Sequence, residues 1–148
     1  MPTILIVNGP NLNSLGKRST NLYGSKTLVD IESAIQQRAN ELNISIQSLQ
    51  SNHEGAIVDF VQEFGSNAHG VIINPGAFTS VGYSILDALI DTNLPVIEVH
   101  LSNIHAREEF RSHSVIAPMA RGQICGVGWR AYLYALDYLY HLISDSGH

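Results

Sequence analysis

Short apolar runs of strand length alternate with segments of helical period along this chain, and that alternation limits its possible folds more than any other feature. Residues 3–7 read as a first strand. Thr27 can cap a helix in which Leu28, Ile31, Ile35 and Leu42 fall at helical spacing. Residues 44–49 read as a second strand, 55–64 as a helix with a broad apolar face, and 70–73 as a third strand. A helix over 83–90, ended near Pro95, leads to a fourth strand at 96–99. A short helix near 106–110, a fifth strand at 123–127 and a closing helix over 129–143 complete the series.

Strands that alternate with helices form βαβ units, which place the strands in a parallel sheet with helices on both faces. Right-handed crossovers then leave few topologies. The expectation is an α/β, flavodoxin-like three-layer sandwich whose five-stranded parallel sheet has the order 2-1-3-4-5. With 148 residues the chain is expected to form one domain, 1–148, with a frayed tail at 144–148.

In such a sheet the strand C-termini share one edge, and ligands bind there at the switch in strand order. Three polar clusters fall at that edge. Asn8-Gly9-Pro10-Asn11-Leu12-Asn13 follows the first strand, Asn74-Pro75-Gly76-Ala77 the third, and Glu98-Val99-His100-Leu101-Ser102-Asn103 closes the fourth. Glu98 and His100 are two apart, so a strand points both to the same face. A carboxylate beside an imidazole fixes its tautomer and favours its protonated form, which suits a general acid. A histidine satisfied by a backbone group is the plainer alternative. Arg107 and Arg111 are four apart and would share a face if that segment is helical, with Glu108 as a candidate partner. Arginine is suited to bidentate recognition of carboxylates.

The connection from Gly9 to Ser25 is long for a link between a strand and a helix, and long links tend to be lids or binding loops. It carries Lys17, Arg18, Tyr23 and the glycines 9, 16 and 24, so a lid bearing a cation and a phenol competes evenly with an ordinary solvated loop.

Composition excludes several classes. A formal net charge of −5 argues against a nucleic-acid binder. A charged fraction of only 14% favours subunit association, because interfaces are depleted in charge. The single cysteine, Cys125, reads as a buried structural thiol. The chain carries no secretory signal pattern and no apolar run long enough for a membrane span, so a cytoplasmic location with no membrane partner is expected. His100 and His105 are five apart and no helical HExxH or paired cysteines occur, so no metal is expected. Neither a complete dinucleotide fingerprint, a P-loop nor a G-x-S-x-G elbow is present.

Taken together, Asn8 to Asn13, Arg18, Tyr23-Gly24, Asn52-His53-Glu54-Gly55, Ile73 to Ala77, Ile97 to Asn103, His105 to Arg111 and Gly122 to Gly128 closely resemble type II 3-dehydroquinate dehydratases, in order and spacing, over nearly the whole chain. The resemblance implies a flavodoxin-like enzyme, a dodecamer built from trimers, that uses no cofactor, metal or Schiff-base lysine and converts 3-dehydroquinate to 3-dehydroshikimate. It implies Tyr23 as the base at C2, with Arg18 favouring its phenolate, because a free phenol ionises only near ~10. Asn11 would hold a water that stabilises the enolate, and His100, oriented by Glu98, would protonate the departing C1 hydroxyl. Asn74, Gly76, Leu101, Ser102 and Arg111 would bind substrate, while Arg107 would be a lid partner or structural.

One stretch departs from the family pattern. Ser80 stands where the family has a substrate-binding histidine, and Leu86 where arginine is common. Asp87 is retained, and the resemblance implies that it reaches a neighbouring subunit's site. Arg18-Ser19-Thr20 replaces the usual Arg-Glu-Pro, which leaves the segment less restricted in φ. Two other readings compete: a paralogue that binds quinate-like hydroxy acids without turning them over, supported by Ser80, and a flavin- or nucleotide-binding module, opposed by Pro10, which removes a backbone donor from the first loop.

Overall fold

The five apolar runs do form one parallel sheet. The structure, a computed structural model, describes residues 1–17 and 19–146. Strands β1 (Thr3–Asn8), β2 (Ser45–Gln50), β3 (Gly70–Asn74), β4 (Val96–His100) and β5 (Gly122–Cys125) are arranged β2-β1-β3-β4-β5, all pairs parallel. This is the flavodoxin-like order expected from the sequence. The three central strands are buried along almost their whole length, which explains their unbroken apolar sequence.

The α-helices are α1 (Thr20–Tyr23), α2 (Leu28–Leu42), α3 (Glu54–Phe64), α4 (Tyr83–Thr92), α5 (Glu109–Ser112) and α6 (Ala131–Ser146), with short 3-10 turns between elements. Alternate strand residues divide the core in two. Ile4, Ile6, Ile72, Ile97 and Val99 pack with α2 and α6 on one face, while Leu5, Val7, Val71, Ile73 and Val96 pack with α3 and α4 on the other. Thr27 caps α2 as expected: its hydroxyl accepts from the Asp30 N–H at 3.2 Å, and Asp30 accepts from the Thr27 N–H at 3.1 Å.

Most boundaries shift from the sequence expectation by a residue or two, the closing helix runs over Ala131–Ser146 rather than 129–143 and so takes in part of the tail expected to fray, and three differences bear on the site. The fifth strand stops at Cys125 rather than Val127, because Gly126 turns into the left-handed region (φ +86°) against Asn103. Residues 106–110 do not form one helix. A 3-10 turn at Ile104–Ala106 is followed by Arg107 in extended conformation (φ −100°, ψ −161°), and α5 begins after it. Arg107 and Arg111 therefore do not share a helix face. The connection after β1 is also less lid-like than its length suggests: Leu12 and Leu15 are buried in the core, whereas residues 19–22 are exposed.

Candidate active site

The loops after β1 and β3 are packed backbone against backbone. The Gly9 N–H donates to the Asn74 carbonyl at 2.8 Å, and a Cβ on Gly9 would sit 2.2 Å from the Pro75 carbonyl oxygen. Only glycine fits there. The loop after β2 braces the first from the other side. Gln50 donates to the Gly9 carbonyl at 3.1 Å, and the Asn52 side-chain oxygen accepts from the Asn11 N–H at 3.0 Å. These contacts hold Asn11 in the left-handed region (φ 67°).

Asn8 and Asn74 are paired in register at the ends of β1 and β3. Between them lies the hydroxyl of Tyr132, a fully buried residue of α6. It donates to Asn8 Oδ1 at 2.5 Å and accepts from Asn74 Nδ2 at 3.1 Å. Asn74 Oδ1 accepts from the Gly76 N–H at 3.2 Å. The Asn74 amide is thus held on two sides. Burial pushes the Tyr132 phenol well above its ordinary range and outweighs the Asn74 hydrogen bond, so it stays a neutral donor.

Glu98 and His100 meet as their spacing in a strand requires, with Glu98 Oε2 2.5 Å from His100 Nε2. Glu98 is fully buried, yet its carboxylate is well satisfied. Ser114 donates to Oε1 at 2.6 Å, and Gln123 donates to Oε2 at 2.7 Å. Burial alone would raise the Glu98 carboxyl, but the bonds from His100, Ser114 and Gln123 together outweigh it and hold the group below the usual carboxylate range. Cys125, paired in register with His100, is partly buried; burial and then the Glu98 charge push its thiol up to about 11.

These elements enclose a cavity of about 200 Å³. Asn11, Tyr23, Asn74 and Gly76 line it from the loops after β1 and β3, with Ser80 beyond them. His100, Leu101, Ser102 and Arg111 line it from the end of β4 onward. Glu98 stands behind His100, outside the lining, as an orienting group would. Asp87 lies on α4 and does not line the cavity of its own chain, and Leu86 packs into the core. Arg18 lies outside the described residues. Arg107 lines the cavity, and its guanidinium lies 5.3 Å from the centre of the Tyr23 ring, with a long 3.4 Å contact to Ser102 Oγ. Arg111 is paired with Glu108 at 2.6 Å at a half-exposed position, so an anionic ligand could compete for it. Among the described residues no group of three His, Cys, Asp or Glu is placed to hold a metal ion, and no helix is long and apolar enough to cross a membrane.

Sequence reasoning missed the residues that brace this site. Tyr132 and Asn52 hold the lining residues Asn74 and Asn11, Ser114 and Gln123 hold Glu98 behind His100, and Gln50 holds Gly9, all without lining the cavity themselves. Gln123 meets Glu98 through the register of β4 and β5, which its sequence position does not reveal. Tyr132 is separated from Asn8 by 124 positions and reads locally as an ordinary apolar helix residue.

A doubly wound sheet with polar loops and a buried carboxylate–imidazole pair at its C-terminal edge defines a flavodoxin-like α/β protein built for acid–base work on a small polar ligand. Comparison with known proteins makes the assignment specific. The family model described as Dehydroquinase class II matches residues 2–140. The chain is 50% identical over 147 residues to the 3-dehydroquinate dehydratase of Bacillus pumilus, covering 99% of this chain and 98% of that protein. It is 53% identical to that of Roseiflexus castenholzii over 92% of this chain and 87% of the relative. The crystal structure of type II dehydroquinase from Butyrivibrio crossotus superposes with a TM-score of 0.90 at 46% identity, covering 93% of this chain and 97% of that one. The chain belongs to the class II dehydroquinase family.

Proposed function

We propose that this protein is a 3-dehydroquinate dehydratase, a hydro-lyase that eliminates water from 3-dehydroquinate to give 3-dehydroshikimate. The observation that carries this reading is that Tyr23 and His100 line one cavity from different elements, with His100 backed by a buried carboxylate. An elimination beside a ketone needs a base at C2 and an acid at the departing C1 hydroxyl.

In the proposed sequence the Tyr23 phenolate removes the C2 proton in an anti elimination, and the C–H electron pair moves onto the ketone oxygen as an enolate. Hydrogen bonding through a water held by Asn11 stabilises that oxygen. His100 then gives its proton to the C1 hydroxyl. As the enolate collapses, the C1–O bond breaks and water leaves. Glu98 keeps the imidazole oriented and balances its charge. A phenolate base requires a nearby cation. Arg18 is one candidate by resemblance, and Arg107, placed over the Tyr23 ring, is a second. Asn74, Gly76, Ser80, Leu101, Ser102 and Arg111 bind the substrate hydroxyls and carboxylate, and Asp87 serves the site of a neighbouring subunit in a dodecamer built from trimers.

The test is an ultraviolet assay with purified protein and 3-dehydroquinate, following the conjugated enone, in the presence of EDTA and, separately, borohydride. Turnover that survives both supports this reaction. Folded protein with no turnover would favour the paralogue that binds quinate-like acids, a reading that rests on Ser80.

A further inference from the structure

The Glu98 carboxylate does not face His100 alone. Gln123, on the neighbouring strand β5, is paired with it in register, so both side chains emerge side by side on one face of the sheet. The Gln123 amide N–H donates at 2.7 Å to Oε2, the oxygen that also holds His100 at 2.5 Å. Its own carbonyl oxygen meets His105 Nε2 at 3.0 Å. An ionised carboxylate only accepts, so the amide nitrogen faces Glu98, which leaves Oε1 to accept from His105 Nε2. The link holds in both charge states of His105, because the neutral Nε2–H tautomer and the imidazolium both donate through Nε2. Gln123 does not line the cavity and so does not touch a ligand.

We propose that Gln123 is a positioning residue for the Glu98–His100 pair, whose amide, held in place by His105, shares the carboxylate charge and so sets how tightly His100 keeps the proton it delivers. One oxygen that accepts two hydrogen bonds has less electron density for either. Gln123 therefore competes with His100 for Glu98 Oε2 and makes the imidazole a stronger acid than Glu98 alone would. Other groups near the pair leave this control to Gln123. Ser114 binds the opposite oxygen and carries no charge. Cys125, beside His100 on β5, stays a neutral thiol over the working pH range. Tyr23, Arg107 and Arg111 line the cavity with His100, while Glu98 lies outside that lining.

The inference rests on the dehydratase reading only for its kinetic consequence, so the experiment has two arms. Imidazole-labelled full-length protein is titrated by NMR, following the His100 ring, in the parent, Gln123→Met, Gln123→Glu and His105→Ala. Met keeps the length of Gln and removes the donor, so the His100 midpoint should rise by about half a pH unit, one pH unit being about 1.4 kcal/mol. Glu adds a second negative charge and should raise it further. His105→Ala frees the amide to turn and should give a smaller rise. The second arm is the pH profile of kcat with 3-dehydroquinate. Its basic limb, which reports loss of the His100 proton, should move upward in the same rank order while KM changes little. A midpoint that stays at the parent value in Gln123→Met and His105→Ala overturns the proposal. If the midpoints move in order but no variant, nor the parent, turns over substrate, the dehydratase reading fails and the role of Gln123 stands. Half-exposed Gln123 lies on the edge strand and exposed His105 on a turn, and His105→Ala keeps the test decisive if a Gln123 variant fails to fold.

Discussion

Replacing Tyr132 with Phe removes one oxygen atom from the core, and the structure says what that should cost. The hydroxyl is fully buried and makes two hydrogen bonds, to Asn8 Oδ1 and from Asn74 Nδ2. Asn8 Nδ2 already has no hydrogen-bond partner among the described residues, so Phe would leave the whole Asn8 carboxamide unpaired inside the core. Orphaning one buried acceptor costs about 1–3 kcal/mol, and losing the Asn74 bond adds about 1 kcal/mol, giving about 2–4 kcal/mol. For a chain of this length that corresponds to a fall in Tm of about 4–16 °C. Denaturant and thermal unfolding should be compared at one fixed protein concentration, because association shifts both. Asn74 also loses one of the two bonds that aim its amide, so KM for the substrate should rise. The double variant Tyr132→Phe/Asn8→Leu should regain stability, since replacing both partners by apolar groups removes the orphan. It should not regain KM, because Asn74 stays untethered. A loss below about 0.5 kcal/mol for Tyr132→Phe, or a double variant no more stable than the single, would refute this account of the network.

Three further outcomes follow from the site. Tyr23→Phe should abolish turnover while retaining affinity for a product-like anion, read by calorimetry; substantial residual activity would point to another base. Ser80→His should add a substrate hydrogen bond and lower KM by about 2- to 12-fold with kcat unchanged, the equivalent of about 0.5–1.5 kcal/mol; an unchanged KM would remove Ser80 from substrate recognition. The Glu98 carboxyl is held below its unfolded value, so it stabilises the fold above about pH 4.3 and that contribution is lost as pH falls through the lower folded value. Glu98→Gln should therefore be less stable at pH 7 and show a flatter acid limb in urea midpoints between pH 7 and 3, whereas parallel curves would contradict the assigned ionisation.

The parts of the molecule legible in the sequence are those set by a local period. The central strands are buried on both faces and read as unbroken apolar runs, and the spacing of Glu98 and His100 alone places them together. Errors arose where one backbone torsion overrode composition. Ile124-Cys125-Gly126-Val127 looks like continuous strand, yet Gly126 turns away at φ +86°. The segment around Arg107 has helical composition, but Arg107 itself is extended and breaks it. What could not be read were the supports that depend on register or on distant packing. Gln123 meets Glu98 only because β4 and β5 pair in one particular register, and Tyr132 meets Asn8 and Asn74 only after α6 closes over β1 and β3.

The two halves of the site are built on different physical terms. The proposed acid half is carried by strands: His100 is held by Glu98, and Glu98 by Ser114 and Gln123, each bond short and each partner fixed by the sheet or the segment beside it. The proposed base half is carried by α1, a four-residue helix with no buried residue, set between Gly16 and Gly24, both at positive φ. A helix of one turn does not sustain itself in water, because nucleation is unfavourable and too few bonds follow to offset it. The contacts of the Tyr23 ring with the core side chains beneath it and with the Arg107 guanidinium therefore help to place it. Arg107 in turn contacts Ser102, one of the residues proposed to bind substrate. Arg107, which belongs to neither strand nor α-helix, thus touches both halves of the proposed site, the Tyr23 ring on one side and Ser102 on the other.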